Sequence, residues 1–323
     1  MTSTKKRILI TGANGFIGSW LCIYFAVRDY EVTALVREKA DTSRIRKIPG
    51  IRVLHASTNQ WGALIDELIP AVVIAADWNG VANEKRNSEL QYFNIIRWKE
   101  LAKAAKRAGV EHFCVFGSQA ELGTELSGVT ELSPDKPITD YGKAKCEARN
   151  SLFEIFDGSI TDLKWIRIFS VFGPLDNGSW LIPSCIRAFL AKDSIELTMG
   201  EQKWNYLYVL DLCSAIEVAI SRQLPVGILQ IASNSSLSIR QAVDSIQFEL
   251  GVSGLANFGA IPYPISQIME VSPNLEKAQS LGWVEKYSWV DALRSTIQWH
   301  QSRIPLPIQG FGISGDFNLA IHK

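Results

Sequence analysis

The chain has 323 residues, 47% of them hydrophobic, with 33 Lys and Arg set against 33 Asp and Glu. That length supplies a full core in one large or two modest domains. The balanced charge excludes nucleic-acid binding driven by counterion release. Five scattered cysteines (Cys22, Cys114, Cys146, Cys185 and Cys213) have no CxxC spacing, which reads as free thiols in a reducing compartment. Residues 1–7 run into only three apolar residues, Ile8-Leu9-Ile10, too few for the apolar stretch of a secretion signal, and no run reaches membrane-spanning length. A cytoplasmic protein with no membrane partner is expected. Four histidines (His55, His112, His300 and His322) show no ligand spacing, so no metal is expected.

Short apolar runs alternate with helical stretches through the first half. Strands are predicted at 7–10, 31–36, 52–55, 72–75, 112–116 and 164–169, and helices at 16–28, 61–68, 88–108 and 141–156. This alternation implies an α/β fold with a parallel sheet covered on both faces. Right-handed crossovers make the sheet doubly wound, with ligands at the carboxyl ends of its strands. After Phe169 the alternation loosens into turns such as Gly173-Pro174, Asp176-Asn177-Gly178 and Ile182-Pro183. A strand at 206–209, followed by Asp211, is expected to return to the first domain. Helical segments at 238–250, 274–281 and 290–301 suggest a smaller, mostly helical substrate lobe. The expected division is 1–170 with about 205–235 for the first domain and about 171–204 with 236–303 for the lobe. Residues 304–323 then form a tail without its own core.

The first predicted strand leads into Thr11-Gly12-Ala13-Asn14-Gly15-Phe16-Ile17-Gly18. Gly12 can take the positive φ of a tight turn, Gly15 leaves room for a pyrophosphate against backbone, and Gly18 lets the helix pack closely on the sheet. The helix start then offers free N–H groups and positive dipole to phosphate. Strand, glycine turn and helix in this order point to a dinucleotide. Its identity turns on Leu35-Val36-Arg37-Glu38 at the end of the second strand, where an acidic residue is expected for a ribose with a free 2′-hydroxyl. Arg37 could instead pair with a 2′-phosphate and stack on adenine, while Glu38 could accept from the hydroxyl. Arg37 stands first after the strand, which favours NADP, with NAD the alternative.

Tyr141 and Lys145 are four residues apart and share one helix face. A phenol of ordinary pKa, about 10, is a poor proton shuttle at neutral pH. A neighbouring ammonium is expected to lower that pKa and make Tyr141 a general acid or base. Ser118, just past a strand end, is placed to hold a reacting carbonyl or alcohol oxygen. Lys143 faces elsewhere and is not the partner.

On these motifs the chain resembles the extended short-chain dehydrogenases/reductases, in the group of nucleotide-sugar epimerases, dehydratases and reductases. The resemblance runs to about residue 300. It extends through Tyr92-Phe93-Asn94-Ile95, Arg167 to Pro174, Leu181-Ile182-Pro183, Leu197 to Gln202, Tyr206 to Asp211 and Leu281-Gly282-Trp283. It implies a Rossmann domain with a substrate lobe, and a catalytic set of Ser118, Tyr141, Lys145 and Asn94, the last supporting Lys145 through a water. It also implies cofactor contacts from Gly12, Asn14, Gly15, Phe16, Ile17, Gly18, Arg37, Ala75, Tyr141, Lys145 and Phe169. Nucleotide-sugar contacts are implied at Trp78, Gln119, Asn177, Leu181 and Trp204.

Departures from the family pattern narrow the reaction. In the 4,6-dehydratases the residue matching Ser118 is followed by an Asp-Glu pair that eliminates water, whereas this chain has Gln119-Ala120. Trp204 stands where many relatives place a phosphate-binding Arg, and Ser57 replaces an Asp that usually holds adenine. Trp78-Asn79-Gly80-Val81, Gly117 to Glu121 and Gly200 to Trp204 resemble a subgroup of deoxyhexose 4-ketoreductases and epimerases. The leading expectation is an NADP-dependent reductase of a nucleotide-linked 4-keto-6-deoxy sugar, with an NAD-dependent epimerase as rival. A silent dinucleotide sensor on the same fold is disfavoured by the intact Ser118, Tyr141 and Lys145. A homodimer is expected through the helices at 88–108 and 141–156, because Ile95, Trp98, Leu152 and Phe156 exceed what one sheet face covers.

Overall fold

The computed structural model describes residues 5–28, 30–176, 178–221, 227–265 and 267–302. In chain order the first half runs β1 (Lys6–Thr11), α1 (Phe16–Ala26), β2 (Tyr30–Val36), β3 (Ile51–His55), α2 (Trp61–Leu68), β4 (Val72–Ala75) and α3 (Leu90–Arg107). It continues with β5 (His112–Ser118), β6 (Leu126–Ser127), α4 (Asp140–Phe156) and β7 (Asp162–Ile168). The second half comprises β8 (Ser170–Phe172), α5 (Leu181–Ala191), β9 (Ile195–Leu197), β10 (Lys203–Tyr208), α6 (Val209–Ser221) and β11 (Gly227–Ile231). It closes with β12 (Ser236–Ser238), α7 (Ile239–Leu250), β13 (Ala256–Phe258), β14 (Val271–Ser272), α8 (Glu276–Ser280) and α9 (Trp289–Ser302).

Seven strands form one sheet in the order β11-β7-β5-β4-β1-β2-β3, every pair parallel. Their sequences explain this. β4 (VVIA) is buried along its whole length, as a strand covered on both faces must be. One face carries α1 and α6, with Leu21, Phe25, Ile216 and Ile220 in the core between them. The other carries α2, α3 and α4, with Trp61, Trp98, Leu152 and Trp165 at its centre. The fold is therefore Rossmann-like α/β, and the C-terminal region is helical.

Ile95, Trp98, Leu152 and Phe156 are 4%, 1%, 0% and 3% exposed, so they fill this chain's own second core and are not surplus apolar surface. The large apolar side chains that α3 does expose are Leu90, Tyr92, Phe93 and Ile96. Of the segment predicted to return at 206–209, residues 206–208 lie instead in β10, in a separate three-stranded sheet with β8 and β12, and Val209 opens α6. The chain rejoins the main body one element later, through α6 packed on α1 and through β11 beside β7. Ile182-Pro183, expected as a turn, opens helix α5, because a proline in the first turn loses no intrahelical bond. The predicted tail at 304–323 lies outside the described residues.

Candidate active site

The glycine turn follows β1 as its spacing requires. Gly12 has φ +63°, and a Cβ there would lie 2.7 Å from the backbone of Ala76. A Cβ on Gly18 would lie 2.2 Å from the Gly12 carbonyl oxygen, so helix and turn could not approach as they do. The Gly15 N–H donates to Gly12 O at 2.9 Å, and Gly15 caps α1 without any side-chain bond to the first helical N–H groups. Those donors face a cleft of about 190 Å³ whose lining includes Gly12, Asn14, Gly15, Arg37, Ala76 and Trp78. Tight turn, uncapped helix start and open cleft fit a dinucleotide phosphate.

Arg37 is exposed at the cleft edge, immediately after β2, whereas Glu38 is absent from the lining. The carbonyls of Arg37 and Glu38 lie 3.3 and 3.2 Å from His55 Nδ1, which fixes the turn that presents them. Phe16 and Ile17 open α1 and are half-buried against the core. Ala75, expected at the cofactor, is wholly buried in the second core, and its neighbour Ala76 meets the turn instead. Phe169 is buried just past β7. Arg44 was not foreseen: it donates to Asn14 O at 3.0 Å and Leu175 O at 2.8 Å, clamping the glycine turn to the chain after β8.

At the carboxyl end of the sheet, Ser118 ends β5 and Tyr141 lies in the first turn of α4. Thr139 caps α4 by accepting from Gly142 N–H, and the Tyr141 N–H donates to Arg86 O at 2.8 Å. The phenol is buried within reach of the Ser118 hydroxyl. Ser118 is itself held from below. Its N–H donates to Glu121 at 2.7 Å, and the fully buried Glu121 carboxylate also accepts from Trp165, Arg149 and Arg167. Ser118 and Glu121 form a local capping box, but no local pattern reveals the cations of this hub, which come from α4 and β7.

Lys145 lies one turn beyond Tyr141 and is 2% exposed. Its Nζ donates to Phe116 O at 2.6 Å and sits 3.7 Å from the Trp78 ring centre, 4.3 Å from that of Trp98 and 5.7 Å from that of Tyr141. Burial holds its pKa well below the ordinary lysine value. The expected lowering of the tyrosine pKa is reversed in this state. Burial pushes Tyr141 above its usual range, against opposing effects from Ser118 and Arg86. Lys143 is exposed and pairs with Asp140 at 3.2 Å.

Asn94 was expected to hold a water for Lys145, but its hydrogen-bonding capacity is spent. Its amide donates to Asn79 O and Leu90 O, at 3.0 and 3.1 Å. Its carbonyl accepts from Asn79 N–H at 3.0 Å and Arg97 at 2.7 Å. Asn94 therefore braces the loop after β4. Arg97 in turn pairs with Asp77, which also accepts from Thr11. This ion pair on the cleft wall went unnoticed in the sequence.

Among the substrate candidates, Trp78 donates to Gln91 at 2.8 Å and lays its ring over Lys145. Gln119 is half-buried beside Ser118, and its side-chain carbonyl is buried without a protein partner. Leu181 heads α5, and Trp204 lies in β10, both packed against the first core. Asn177 falls outside the described residues. Arg86, unmarked by any motif, places its guanidinium carbon 5.2 Å from the Tyr141 ring centre and 5.6 Å from that of Trp180. Among the described residues no three His, Cys, Asp or Glu side chains could hold a metal ion, and no helix is long and apolar enough to cross a membrane.

The profile of the NAD dependent epimerase/dehydratase family matches residues 8–232. The chain is 24% identical over 323 residues to the dTDP-D-glucose 4,6-dehydratase of Mus musculus, covering 93% of this chain and 90% of the relative. To the CDP-abequose synthase of Salmonella muenchen it is 24% identical over 301 residues, covering 89% and 96%. The solved structure of MoeE5 in complex with UDP-glucuronic acid and NAD superposes with a TM-score of 0.82 at 21% identity, covering 92% of this chain and 100% of the other.

Proposed function

The chain belongs to the NAD-dependent epimerase/dehydratase family, and from that premise we propose that this enzyme is an NADP-dependent reductase of a nucleotide-linked 4-keto-6-deoxy sugar. The observation that carries the proposal is the grouping of Ser118, Tyr141 and Lys145 at the carboxyl end of the sheet, beside the glycine-turn cleft. The nicotinamide, when bound, supplies the hydride to C4. Ser118 holds O4, and Tyr141 donates the proton that O4 takes up as the carbonyl becomes an alcohol. Lys145 grips the cofactor ribose and steadies the charge on Tyr141. To do so it turns from Phe116 O, which costs one hydrogen bond and its contact with the indole faces. Water elimination is disfavoured, because Gln119 and Ala120 have no proton to give or take where a dehydratase needs an acid and a base.

Trp78 and the unpaired Gln119 carbonyl are assigned to the sugar, with Leu181, Asn177 and Trp204 nearer the nucleotide. Residues 1–170 with the return through α6 and β11 hold the cofactor, and the remaining lobe holds the substrate. The enzyme works in the cytoplasm as a homodimer. An NAD-dependent epimerase using the same residues is the second reading, favoured by NAD beside UDP-glucuronic acid in the MoeE5 complex.

Cofactor choice separates the two readings. Arg37 offers a guanidinium to a 2′-phosphate, so Arg37→Ala should weaken NADPH binding far more than NADH binding, measured by quenching of protein fluorescence. Equal loss for both, or tightly held NAD on the purified protein, favours the epimerase.

A further inference from the structure

We infer that Arg86 supplies Tyr141 with a second tuning positive charge, beside that of Lys145. The inference rests on the reading of Tyr141 as proton donor and adds a residue from outside its motif. Lys145 is turned toward Phe116 O and the two indole faces, 5.7 Å from the centre of the Tyr141 ring. Arg86 approaches the same ring from the loop ahead of α3, at 5.2 Å. Its carbonyl also holds the Tyr141 N–H at 2.8 Å, so backbone and side chain of one residue fix the position of the phenol. Its Nε donates to Val81 O at 3.1 Å, and among the described residues no carboxylate neutralises it. A guanidinium remains protonated at any pH the enzyme meets, whereas a buried ammonium loses its proton readily.

The charges around Tyr141 leave this role open. Glu121, beyond Ser118, raises the phenol pKa but is itself compensated by Arg149 and Arg167. Asp140, beside Tyr141 on α4, is paired with Lys143. Ser118 and Trp78 contribute a hydroxyl and a ring edge. Arg86 and Lys145 are then the two cations near the ring, and Arg86 acts to favour the phenolate. The ring of Trp180, the residue before α5, lies 5.6 Å from the same guanidinium, so Arg86 has the Tyr141 and Trp180 rings both within 6 Å. At this separation, and discounted for partial solvent exposure, one unit charge changes a proton-transfer rate by about tenfold.

The test is the ionisation of Tyr141 itself, followed by NMR of protein labelled at tyrosine 13Cζ, saturated with NADP⁺ and assigned by comparison with Tyr141→Phe. In Arg86→Gln the ionisation should move to higher pH or leave the accessible range, and in Arg86→Lys it should stay near wild type. With a 4-keto nucleotide sugar, kcat of Arg86→Gln at neutral pH should fall about tenfold, with KM changed by less than about twofold. A residue that merely held the loop would lower thermal stability or raise KM and leave the titration in place. An unmoved titration in Arg86→Gln, a shift seen only in Lys145→Met, or a Tyr141 that ionises in none of these proteins overturns the inference. The titration needs no turnover, so an error in the proposed sugar would silence only the kinetic arm.

Discussion

Tyr141→Phe removes one proton and leaves the ring against Trp78, the packing of α4 and most substrate contacts in place. If Tyr141 is the proton donor, kcat should fall by about 10²–10⁴-fold with substrate affinity little changed. Lys145→Met should damage both kcat and cofactor binding, whereas Lys143→Met, exposed and paired only with Asp140, should behave as wild type. A fully active Tyr141→Phe, or equal damage from both lysine variants, contradicts the assignment. Tyr141, Lys145 and the three glycines were legible because their geometry is set by spacing along one helix or one turn. Arg86, Arg44, the Asp77–Arg97 pair and the cations around Glu121 were not, because each acts on residues far away in sequence. The side-chain partners of Asn94, among them Asn79 and Arg97, were hidden for the same reason, since they are set by how α3 packs on the loop after β4.

At the level of elements, α3 faces two ways. Ile95, Trp98, Leu101 and Ala105 are buried against the sheet, while Phe93 and Ile96 are 62% and 59% exposed. A homodimer that packs α3 against its copy would cover this outer face. Replacing Phe93 and Ile96 with Glu should leave the fold intact and convert the dimer to monomer in sedimentation at micromolar concentration. Wild-type protein that sediments only as monomer contradicts the dimer. Amphipathic and strongly apolar elements of the first half were readable from periodicity alone. Three others were hidden. α6 is buried on nearly all sides and shows no polar face. α5 starts across a proline that resembles a turn signal. β11 carries Gln230 in its middle, whose amide donates to Val129 O and Asn274 O, so a buried strand looks polar.

Across the whole molecule, Asp211 ties the main body to the C-terminal helices. It lies fully buried in α6 and accepts from Lys286 N–H at 2.8 Å and Tyr287 N–H at 3.3 Å, just ahead of α9. Burial pushes its carboxyl pKa up to about 6, despite those two hydrogen bonds. The folded value exceeds the unfolded one, so the protonated group favours the folded state below about pH 4, and that contribution is lost as pH rises through about 6. The loss is on the order of 3 kcal/mol. Asp211→Asn should flatten this part of the stability profile in urea melts at successive pH values, and an unchanged slope would assign the effect to other groups. The parallel sheet and the helical C-terminal region followed from the alternation of strands and helices. Where β10 belongs did not, because its pairing with β8 and β12 is decided by tertiary contacts.

The central claim is net hydride transfer to C4 with Tyr141 returning the proton. It is tested most directly by incubating the protein with NADPH deuterated at nicotinamide C4, on the transferred face, and a 4-keto-6-deoxy nucleotide sugar. Mass spectrometry and NMR of the product then locate the label. The account predicts one deuterium at C4 for each NADPH consumed, and loss of that transfer in Tyr141→Phe. A sugar isomerised without NADPH consumption, or one carrying no deuterium at C4, would contradict it.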